Sequence, residues 1–463
     1  MTNKITDYFN SLKGKRVAFI GLGRSNLPLI RMFCESGAVV YACDSRDKDS
    51  LGANATLAEE YGATLSLGAT YLDNLDVETV FRTPGMNYNS PVLAQMRDRG
   101  IVITSEMELF FELCPCKIIA VTGSDGKTTT TTIISELLKA QGYIVHLGGN
   151  IGNPLMPEIY DIKEDDFAVV ELSSFQLISM RKSPKVAVVT NVAPNHLDVH
   201  KDMDEYIDAK RNIVSFQDGD CRAILNLDND ISHSFENSTK ADVYCFSRTQ
   251  QVIKGAYVQG DEIRFTDGTI DELIMNVQDI RIPGLHNVEN YLAAICAVKE
   301  FVSVDTILSV ARSFNGVKHR AQLVREFEGV RYYNDSIASS PTRTACGMLS
   351  LFDEKLILIC GGYDKNIPYA PLGPVICEKV KTLILLGATG KKIEAAVKDS
   401  QNYSHGLLDI IYAESMEQAV EIAREKASEG DIVALSPASA SFDMYRDFEQ
   451  RGEHFMTIVN NLK

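Results

Sequence analysis

The sequence has no apolar run of the roughly 18 to 20 residues that a helix needs to cross a bilayer. Its first residues, MTNKITDYFNSLKGKRVAFIG, hold no uninterrupted apolar region before the first strand, so no secretory signal is predicted. Basic residues are not in excess, because 46 Lys and Arg stand against 62 Asp and Glu and leave a net charge of -16. Phosphate backbones bind clustered cations. We therefore expect a cytoplasmic protein without membrane insertion and without a nucleic-acid partner.

Metal-binding cysteine patterns and repeats are also missing. The ten cysteines are scattered, Cys114 and Cys116 are the one close pair, and no Cys-x2-Cys spacing suggests zinc, so reduced thiols are expected. No short internal repeat and no low-complexity linker is visible. With 45% hydrophobic and 23% charged residues in 463, the composition is typical of a globular protein of about three domains.

Apolar strands alternate with turns and amphipathic helices, which predicts an α/β fold with parallel sheets covered by helices. One series begins with RVAFIGLG, a second with KIIAVTG, and a third follows KHR. CRAILNL, DVYCFS and AYVQGDEIRF alternate like short antiparallel strands. We predict three domains: a Rossmann-like domain at 1–102, a central domain with a mostly parallel sheet and a small antiparallel part at 103–316, and a C-terminal Rossmann-like domain at 317–463.

A glycine-rich turn joins strand KIIAV to a helix that starts with five threonines. Such a turn leaves backbone amides unpaired, and these amides together with the helix dipole bind phosphate. Lys127 adds a cation for the outer phosphates, and Thr128 offers a hydroxyl to Mg²⁺. The spacing G-x-x-G-K-T is two residues shorter than the usual P-loop pattern. The alternative is an ordinary helix start capped by Ser124 or Asp125.

Polar side chains follow the next strands of this central domain. Glu171 ends the strand in VVELSS, His196 and His200 lie in the loop NHLDVH together with Asp198, and Lys210 follows in YIDAKRNI. Sites of open α/β sheets form at the carboxyl ends of strands, so these groups are expected to face one crevice. A carboxylate and an imidazole near phosphates suggest Mg²⁺ ligation. Taken singly, each residue could instead be a cap, a turn residue or a solvated side chain.

Many motifs occur in one order along nearly the whole chain and carry a family resemblance. They are GLGRSN, TPG (83–85), SEMELF (105–110), TGSDGKTT, GGNIG (148–152), ELSSFQL, NHLDVH, the Lys of DAK, GLHNVEN (284–290), KHR, NDS (334–336), GGYDK (361–365) and LSPASASFDMYRDFEQRG (435–452). In these motifs the chain resembles the Mur ligase family. ELSSFQL and the last motif are similar to those of the member that adds D-glutamate.

The resemblance implies four sets of residues. The catalytic and metal-binding set, which includes a carbamylated Lys210 and holds two Mg²⁺ ions, is Lys127, Thr128, Glu171, His196 and Lys210. The ATP-binding set, whose Arg320 and Asp335 come from the third domain, is Gly123, Ser124, Asp125, Gly126, Lys127, Thr128, Thr129, Asn287, Asn290, Arg320 and Asp335. The set that contacts the uridine diphosphate substrate and its muramoyl chain is Gly23, Arg24, Ser25, Asp44, Ser45, Arg46, Gly85 and Asn150. The D-glutamate-binding set is Ser339, Lys365, Ser441 and Phe448.

The activity that the resemblance implies is ATP-dependent formation of an amide bond between UDP-N-acetylmuramoyl-L-alanine and D-glutamate. The substrate carboxylate would attack the γ-phosphate to give an acyl phosphate, and the amine of D-glutamate would then displace phosphate. Such chemistry needs positioning and charge neutralisation more than a nucleophilic side chain. We expect a monomer that acts on these small molecules in peptidoglycan precursor synthesis.

Four residues depart from an expected pattern, three from that of the family and one from a dinucleotide fingerprint. Asp125 stands where relatives often have Asn, and we expect its carboxylate to face away from the phosphates or to cap the helix. Ile337 and Ser339 lie where many relatives read Lys-Ala-Thr, so one cation is absent beside D-glutamate. Asn26 replaces the third glycine of a dinucleotide fingerprint.

Other functions stay open at this point. GLGRSN with Asp44 could belong to an NAD-dependent oxidoreductase, although that leaves the second glycine loop unexplained. A P-loop ATPase that forms no bond is a second alternative. Within the ligases, an L-alanine-adding enzyme or a folylpolyglutamate synthase-like enzyme is the nearest alternative.

Overall fold

The computed structural model describes residues 4–196, 199–404 and 406–463. The chain folds into two compact units, one formed by Met1–Asp279 with Val288–Val310 and the other by Ile280–Asn287 with Ala311–Lys463. Within the described residues the first unit contains two sheets and the second unit one sheet. No helix in this part of the chain is both long enough and apolar enough to span a membrane.

The first sheet is five-stranded and parallel, in the order β3-β2-β1-β4-β5. Its strands are β1 (Arg16–Ile20), β2 (Val39–Asp44), β3 (Thr64–Leu67), β4 (Thr79–Arg82) and β5 (Val102–Thr104). Its helices are α1 (Lys4–Asn10), α2 (Asn26–Glu35), α3 (Lys48–Leu51), α4 (Ala53–Glu60) and α5 (Pro91–Asp98). The strand order reverses between β1 and β4, and ligands of open α/β sheets bind at such a switch point.

The second sheet is nine-stranded, in the order β14-β13-β12-β11-β10-β9-β6-β8-β7. Its strands are β6 (Lys117–Thr122), β7 (Val145–Gly149), β8 (Phe167–Glu171), β9 (Val186–Val189), β10 (Arg222–Asn226), β11 (Asp242–Ser247), β12 (Gly255–Gln259), β13 (Glu262–Thr266) and β14 (Asp271–Asn276). Its helices are α6 (Glu106–Leu113), α7 (Lys127–Gln141), α8 (Ser174–Leu177), α9 (Met203–Ser215) and α10 (Asp230–Ser234). Two helices follow the last strand, α11 (Leu285–Val298) and α12 (Val304–Ser313).

The prediction of antiparallel strands from CRAILNL onward is wrong for its first half. β10 pairs in parallel with β9 and with β11, and β11 pairs in parallel with β12. Only β12, β13 and β14 form an antiparallel meander. The reason is burial, because four of the five residues of β10 are buried and such continuous apolar strands extend a parallel sheet whose two faces are covered.

The second unit holds a six-stranded sheet in the order β15-β16-β20-β17-β18-β19. Its strands are β15 (Gln322–Phe327), β16 (Val330–Asn334), β17 (Leu356–Gly361), β18 (Val380–Leu386), β19 (Asp409–Tyr412) and β20 (Ile432–Leu435), with β15 antiparallel to β16. Its helices are α13 (Pro341–Cys346), α14 (Leu372–Lys379), α15 (Gly390–Lys398), α16 (Met416–Lys426) and α17 (Phe448–Asn460). Separate apolar clusters pack on the two faces of this sheet.

Candidate active site

The loop between β6 and α7 adopts a conformation that only glycine accepts at two positions. Gly123 has φ of 155°, and a Cβ there would lie 1.9 Å from Oγ1 of Thr190. Gly126 has φ of 78°, and its Cβ would lie 2.4 Å from Oδ1 of Asn290. The loop is therefore pressed against the residue that follows β9 and against α11. At the start of α7 the first amides have no carbonyl partner within the helix, so they point toward the open end of this loop.

The loop is held by the segment after β9. Oγ1 of Thr190 donates to the carbonyl of Asp125 at 2.6 Å, and the amide of Asp125 donates to Oδ1 of Asn191 at 3.0 Å. Oγ of Ser124 donates to the carbonyl of Ala193 at 2.8 Å and lies 2.9 Å from the hydroxyl of Tyr206. Neither Ser124 nor Asp125 caps α7, because Gly126 stands at the cap position without a side-chain hydrogen bond. The alternative of a simple capped helix start is wrong.

Two lysines converge on the carbonyls of the loop. Nζ of Lys127 donates to the carbonyls of Gly123 and Ser124, both at 2.9 Å. Nζ of Lys210, on α9, donates to the carbonyl of Gly123 at 2.7 Å and lies 4.7 Å from the ring centre of Tyr206. Burial lowers the pKa of Lys210 well below its usual value, and the charge of Lys127 lowers it further. Lys210 is therefore driven toward its neutral form.

Glu171 lies at the carboxyl end of β8, next to β6. The side chain is buried, with 1% of the residue exposed. Nδ2 of Asn150 donates to Oε1 at 2.8 Å, whereas Oε2 is buried and has no hydrogen-bond donor among the described residues. A buried carboxylate oxygen without a donor is costly unless a cation or water occupies the place. This oxygen is the strongest sign of a cation site.

The two histidines of NHLDVH have different surroundings. His196 is exposed, has φ of 54°, and its ring lies edge-on to Phe175 at 5.2 Å. His200 is buried and stacks on Phe175 at 5.1 Å, with Nε2 2.9 Å from Oγ of Ser174 and Nδ1 3.2 Å from Oε2 of Glu205. His200 thus anchors the segment that carries His196, and Asp198 lies outside the described residues.

Acidic and imidazole ligands alone do not assemble a complete metal centre. Within residues 4–196, 199–404 and 406–463, no group of three or more His, Cys, Asp or Glu side chains is placed to hold a metal ion. The predicted set differs from such a group because it draws on a threonine hydroxyl and a lysine. Thr128 is the second residue of α7, directly after Lys127, and is half-buried. Thr129 is half-buried beside it.

Another glycine-containing loop, GLGRSN, follows β1 in the first sheet, and Asp44 at the end of β2 holds it. Arg46 donates to both oxygens of Asp44, from Nε at 3.0 Å and from Nη2 at 2.9 Å, and the amide of Leu22 donates to Oδ2 at 3.0 Å. Hydrogen bonding to Arg46 lowers the pKa of Asp44 to about 2. Nδ2 of Asn26 donates to the carbonyls of Ile20 and Gly21 and supports the turn, which accounts for asparagine in place of glycine at this position.

Other predicted substrate contacts lie at the same edge of the first unit. Nη2 of Arg24 lies 3.4 Å from Oδ1 of Asn153, in the segment that follows Asn150. Gly85 is exposed in the loop after β4. The exposed residues Gly23 and Ser45, with half-buried Ser25, occupy the ends of β1 and β2. This edge therefore presents backbone and small polar groups beside Arg24 and Arg46.

Arg82 is a residue that the sequence analysis missed. This last residue of β4 is 1% exposed, and Nη2 donates to the carbonyl of Phe175 at 2.6 Å and to Oγ of Ser179 at 2.9 Å. Ser179 in turn donates to Glu108 at 3.0 Å. A cavity of about 170 Å³ adjoins the contact and is lined by residues 84–88, Phe175, Ile178, Val199 and His200. The signal available in the sequence was a cation inside the apolar strand VFRTPG.

The helix α11 carries the two predicted nucleotide asparagines. Asn290 is buried in the first unit, and its Oδ1 accepts from Oγ1 of Thr130 at 3.1 Å. Asn287 belongs to the second unit, where its Nδ2 donates to the carbonyl of Pro283 at 2.6 Å. Asn290 thus touches the helix that follows the glycine loop.

In the second unit Asp335 is buried at the end of β16. Burial raises its pKa to about 7, although Oγ of Ser436 donates to Oδ2 at 2.7 Å and the amide of Ala321 donates to Oδ1 at 3.2 Å. Arg320 lies next to Ala321 and is exposed. The amide of Ala321 thus connects the segment that carries Arg320 to the carboxylate of Asp335.

The predicted D-glutamate residues lie on segments that Arg451 ties together. Arg451 is buried, and its guanidinium donates to the carbonyls of Ser336, Ser439 and Ala440 at 2.8, 3.1 and 3.0 Å. Burial lowers the pKa of Arg451 to about 10. Ser441 is buried directly after this contact, Phe448 begins α17, Ser339 is half-buried, and Lys365 is exposed after β17. Arg451 was not among the site residues predicted from the sequence.

Comparisons with known proteins cover the chain from end to end. Residues 121–298 match the model of the Mur ligase middle domain, and residues 319–439 match that of the Mur ligase glutamate ligase domain. A protein of Acetivibrio thermocellus is 52% identical over 468 residues, and one of Clostridium novyi is 46% identical over 464 residues. Both pairs align over 100% of each chain, and both relatives are named UDP-N-acetylmuramoylalanine--D-glutamate ligase.

Two solved structures share the fold at low identity. The UDP-N-acetylmuramate-alanine ligase of Thermotoga maritima is 17% identical with a TM-score of 0.56, and covers 97% of this chain and 100% of its own. A pseudomurein peptide ligase type C from Methanothermus fervidus is 17% identical with a TM-score of 0.52, over the same shares. These likenesses support a mixed α/β architecture with mostly parallel sheets.

The Arg82 contact predicts an unequal effect of two arginine substitutions. Arg82→Met keeps an apolar stem but leaves the carbonyl of Phe175 and Oγ of Ser179 without their donor. The free energy of unfolding should therefore fall by about 3 kcal/mol. Arg97→Met removes the hydrogen bond to the carbonyl of Tyr88 at 2.8 Å, and the free energy of unfolding should fall by about 1 kcal/mol. Denaturant titration of the nucleotide-free proteins measures both. Equal losses would contradict the assigned role of Arg82.

Proposed function

This chain belongs to the Mur ligase family, and we propose that it is the ATP-dependent ligase that adds D-glutamate to UDP-N-acetylmuramoyl-L-alanine. The amide bond forms with release of ADP and phosphate, in peptidoglycan precursor synthesis. The observation that carries this assignment is the full-length match to relatives that bear this enzyme's name. The glycine loop with Lys127 and the buried carboxylate of Glu171 supply the groups that such a reaction requires.

The proposed architecture has three domains. A Rossmann-like domain at 1–102 binds the uridine diphosphate substrate, a central P-loop domain at 103–316 binds ATP, and a C-terminal Rossmann-like domain at 317–463 binds the amino acid. The three sheets of the described residues support this division, since each lies in one of these ranges apart from the last two residues of β5, Ile103 and Thr104. We further propose that the enzyme works as a monomer in the cytoplasm, where its phosphorylated substrates are found.

In the first step, the proposed role of the chain is to bind and position the triphosphate. The amides of residues 126–129 and the ammonium of Lys127 bind the outer phosphates, since the amides of Ser124 and Asp125 already donate to Asn191. This leaves the γ-phosphate in line with the carboxylate of the muramoyl peptide. Lys127 would exchange its present acceptors, the carbonyls of Gly123 and Ser124, for phosphate oxygens. Asn287, Asn290, Arg320 and Asp335 are proposed to bind the rest of the nucleotide. Positioning and neutralisation of charge then lower the barrier.

The residues near the loop fit Mg²⁺. Oε2 of Glu171 is a buried acceptor without a donor among the described residues, which is the type of oxygen that a hard cation prefers. Thr128, His196 and Lys210 are the other proposed ligands. When bound, Mg²⁺ ions neutralise the phosphate oxygens and act as Lewis acids toward the γ-phosphate.

Lys210 fits this set only if its amine is converted. An ammonium repels Mg²⁺, and the side chain is already buried beside Lys127. A neutral amine attacks carbon dioxide, forming a carbamate and releasing one proton, and the product is an anionic oxygen ligand. Burial favours the neutral amine that this addition needs. We propose that Lys210 is carbamylated in the active enzyme.

The remaining predicted residues bind the other two substrates. The contacts proposed for UDP-N-acetylmuramoyl-L-alanine are Gly23, Arg24, Ser25, Asp44, Ser45, Arg46, Gly85 and Asn150. Those proposed for D-glutamate are Ser339, Lys365, Ser441 and Phe448. Lys365 offers a cation to the side-chain carboxylate, and one further cation is expected to be absent because Ile337 stands where many relatives read Lys. The amine of D-glutamate then displaces phosphate from the acyl phosphate.

Amino-acid dependence of phosphate release tests the function. With ATP, Mg²⁺ and UDP-N-acetylmuramoyl-L-alanine present, phosphate should appear only after D-glutamate is added, because the acyl phosphate is consumed by that amine. Parallel reactions with L-glutamate and L-alanine serve as controls. Equal rates with either L-amino acid would contradict the assigned specificity, and full release without any amine would contradict the ligase itself.

Substitution of Lys210 tests the carbamate. Lys210→Ala should lower turnover by about 100-fold or more, because an anionic ligand would be lost, and added acetate or formate should restore part of it. Lys127→Ala serves as the matched control, since a missing cation is not replaced by a carboxylate. A carbamate signal from ¹³C-labelled carbon dioxide should appear in the unsubstituted protein and in Lys127→Ala, but not in Lys210→Ala. Rescue of both variants, or of neither, would contradict the proposal.

Asp125 should weaken ATP binding. Its carboxylate is exposed in the loop, so Asp125→Asn should lower the KM for ATP about two- to fivefold at low salt, with no change in the KM for D-glutamate. The difference should shrink as salt screens the charge. Steady-state kinetics at two ionic strengths measure it, and an unchanged or higher KM for ATP would show that the carboxylate does not act on the phosphates.

A further inference from the structure

Cys114 and Cys116 form a pair of thiols that the proposed reaction does not use. They flank Pro115 in the connection between α6 and β6, and their sulfur atoms lie 3.5 Å apart. Cys114 is half-buried and Cys116 is buried, so a small oxidant reaches Cys114 first. Rotation of the side chains would need to bring the sulfurs to ~2.05 Å for a bond. The two thiols are thus placed as neighbours before any reaction.

The surroundings of the pair include a histidine held by two carboxylates. Nδ1 of His146 lies 3.1 Å from Oε2 of Glu158, and Nε2 lies 3.1 Å from Oδ2 of Asp166. Burial opposes a charged imidazole, but these two hydrogen bonds outweigh it and raise the pKa of His146. Strand register places Lys117, which follows Cys116, opposite Phe167, which follows Asp166. The cluster therefore lies at the amino-terminal ends of β6 and β8.

The two sulfurs differ in acidity. The hydrogen bond from Cys116 lowers the pKa of Cys114 although burial opposes it, and the charge of His146 adds to the lowering. Hydrogen bonding to Cys114 and burial raise the pKa of Cys116. By contrast, burial raises the pKa of the partly exposed Cys245 to about 11. Thiolates, not thiols, attack peroxides, so Cys114 is the attacking group and Cys116 the second thiol.

We propose that Cys114 and Cys116 form a reversible modification site, in which hydrogen peroxide converts the adjacent thiols to a disulfide. The Cys114 thiolate attacks one peroxide oxygen, the O–O bond breaks, and hydroxide leaves and is protonated to water. The Cys116 sulfur then attacks the sulfenic sulfur, the S–S bond forms, the S–O bond breaks, and a second water leaves with the Cys116 proton. Two thiols are oxidised and one peroxide is reduced, and a dithiol reductant reverses the reaction.

Mass spectrometry of the full-length protein tests this site. Trypsin releases residues 100–117, which contain no other cysteine, and residues 241–248, which contain only Cys245. After limited hydrogen peroxide and alkylation by N-ethylmaleimide, the first peptide should lose two hydrogens and carry no maleimide, and dithiothreitol should reverse this. Its oxidation should be roughly tenfold faster than that of Cys245. Equal oxidation of both peptides, or full alkylation of Cys114 and Cys116, would overturn the proposal.

Two variants assign the order of the steps. Cys116→Ser should trap the sulfenic acid at Cys114 as a dimedone adduct, whereas Cys114→Ser should give no adduct at Cys116. Cys245→Ser is the matched control and should leave the disulfide unchanged. An adduct at Cys116 but not at Cys114 would contradict the assigned roles. The experiment on the unsubstituted protein decides the disulfide itself even if a variant does not fold.

Discussion

The structure of the candidate site depends on the contact between Gly123 and Thr190. This contact fixes the turn after β6 against the turn after β9, because a Cβ on Gly123 would lie 1.9 Å from Oγ1 of Thr190. The same hydroxyl donates to the carbonyl of Asp125 at 2.6 Å and closes the loop. The carbonyls of the loop are thereby turned toward Lys127 and Lys210, and the amides at the start of α7 toward the open side. Two neighbouring strands of a parallel sheet are what bring these turns together.

The charges around this loop pose one electrostatic problem. Two lysine amines and a buried carboxylate oxygen lie on three neighbouring elements, and the carboxylate oxygen has no donor among the described residues. Carbamylation of Lys210 would remove one positive charge and add one negative charge, and the region would then attract Mg²⁺ and triphosphate together. The same logic underlies the prediction for Asp125, whose exposed carboxylate lies in the loop that is proposed to bind the phosphates. In this proposal, charge balance in the loaded site would depend on a modification that the amino-acid sequence does not encode directly.

Local sequence patterns predict the strands and glycine loops well, because the strands of the parallel sheets are short apolar runs ended by glycine or polar residues. The glycine loop and Glu171 follow from that rule, since each comes directly after such a run. The parallel pairing of β10 and β11 does not follow, because register and direction depend on which faces the helices cover. Arg82 and Arg451 were missed for a related reason. A buried arginine is recognised only when the carbonyls it binds, which come from distant segments, are placed around it.

A crystal structure with Mg²⁺ and a non-hydrolysable ATP analogue tests the central claim most directly. We expect the outer phosphates to lie within hydrogen-bond distance of the amides of residues 126–129, and Nζ of Lys127 to have left the carbonyls of Gly123 and Ser124 for a phosphate oxygen. A triphosphate bound away from this loop, with Lys127 still donating to those carbonyls, would contradict it.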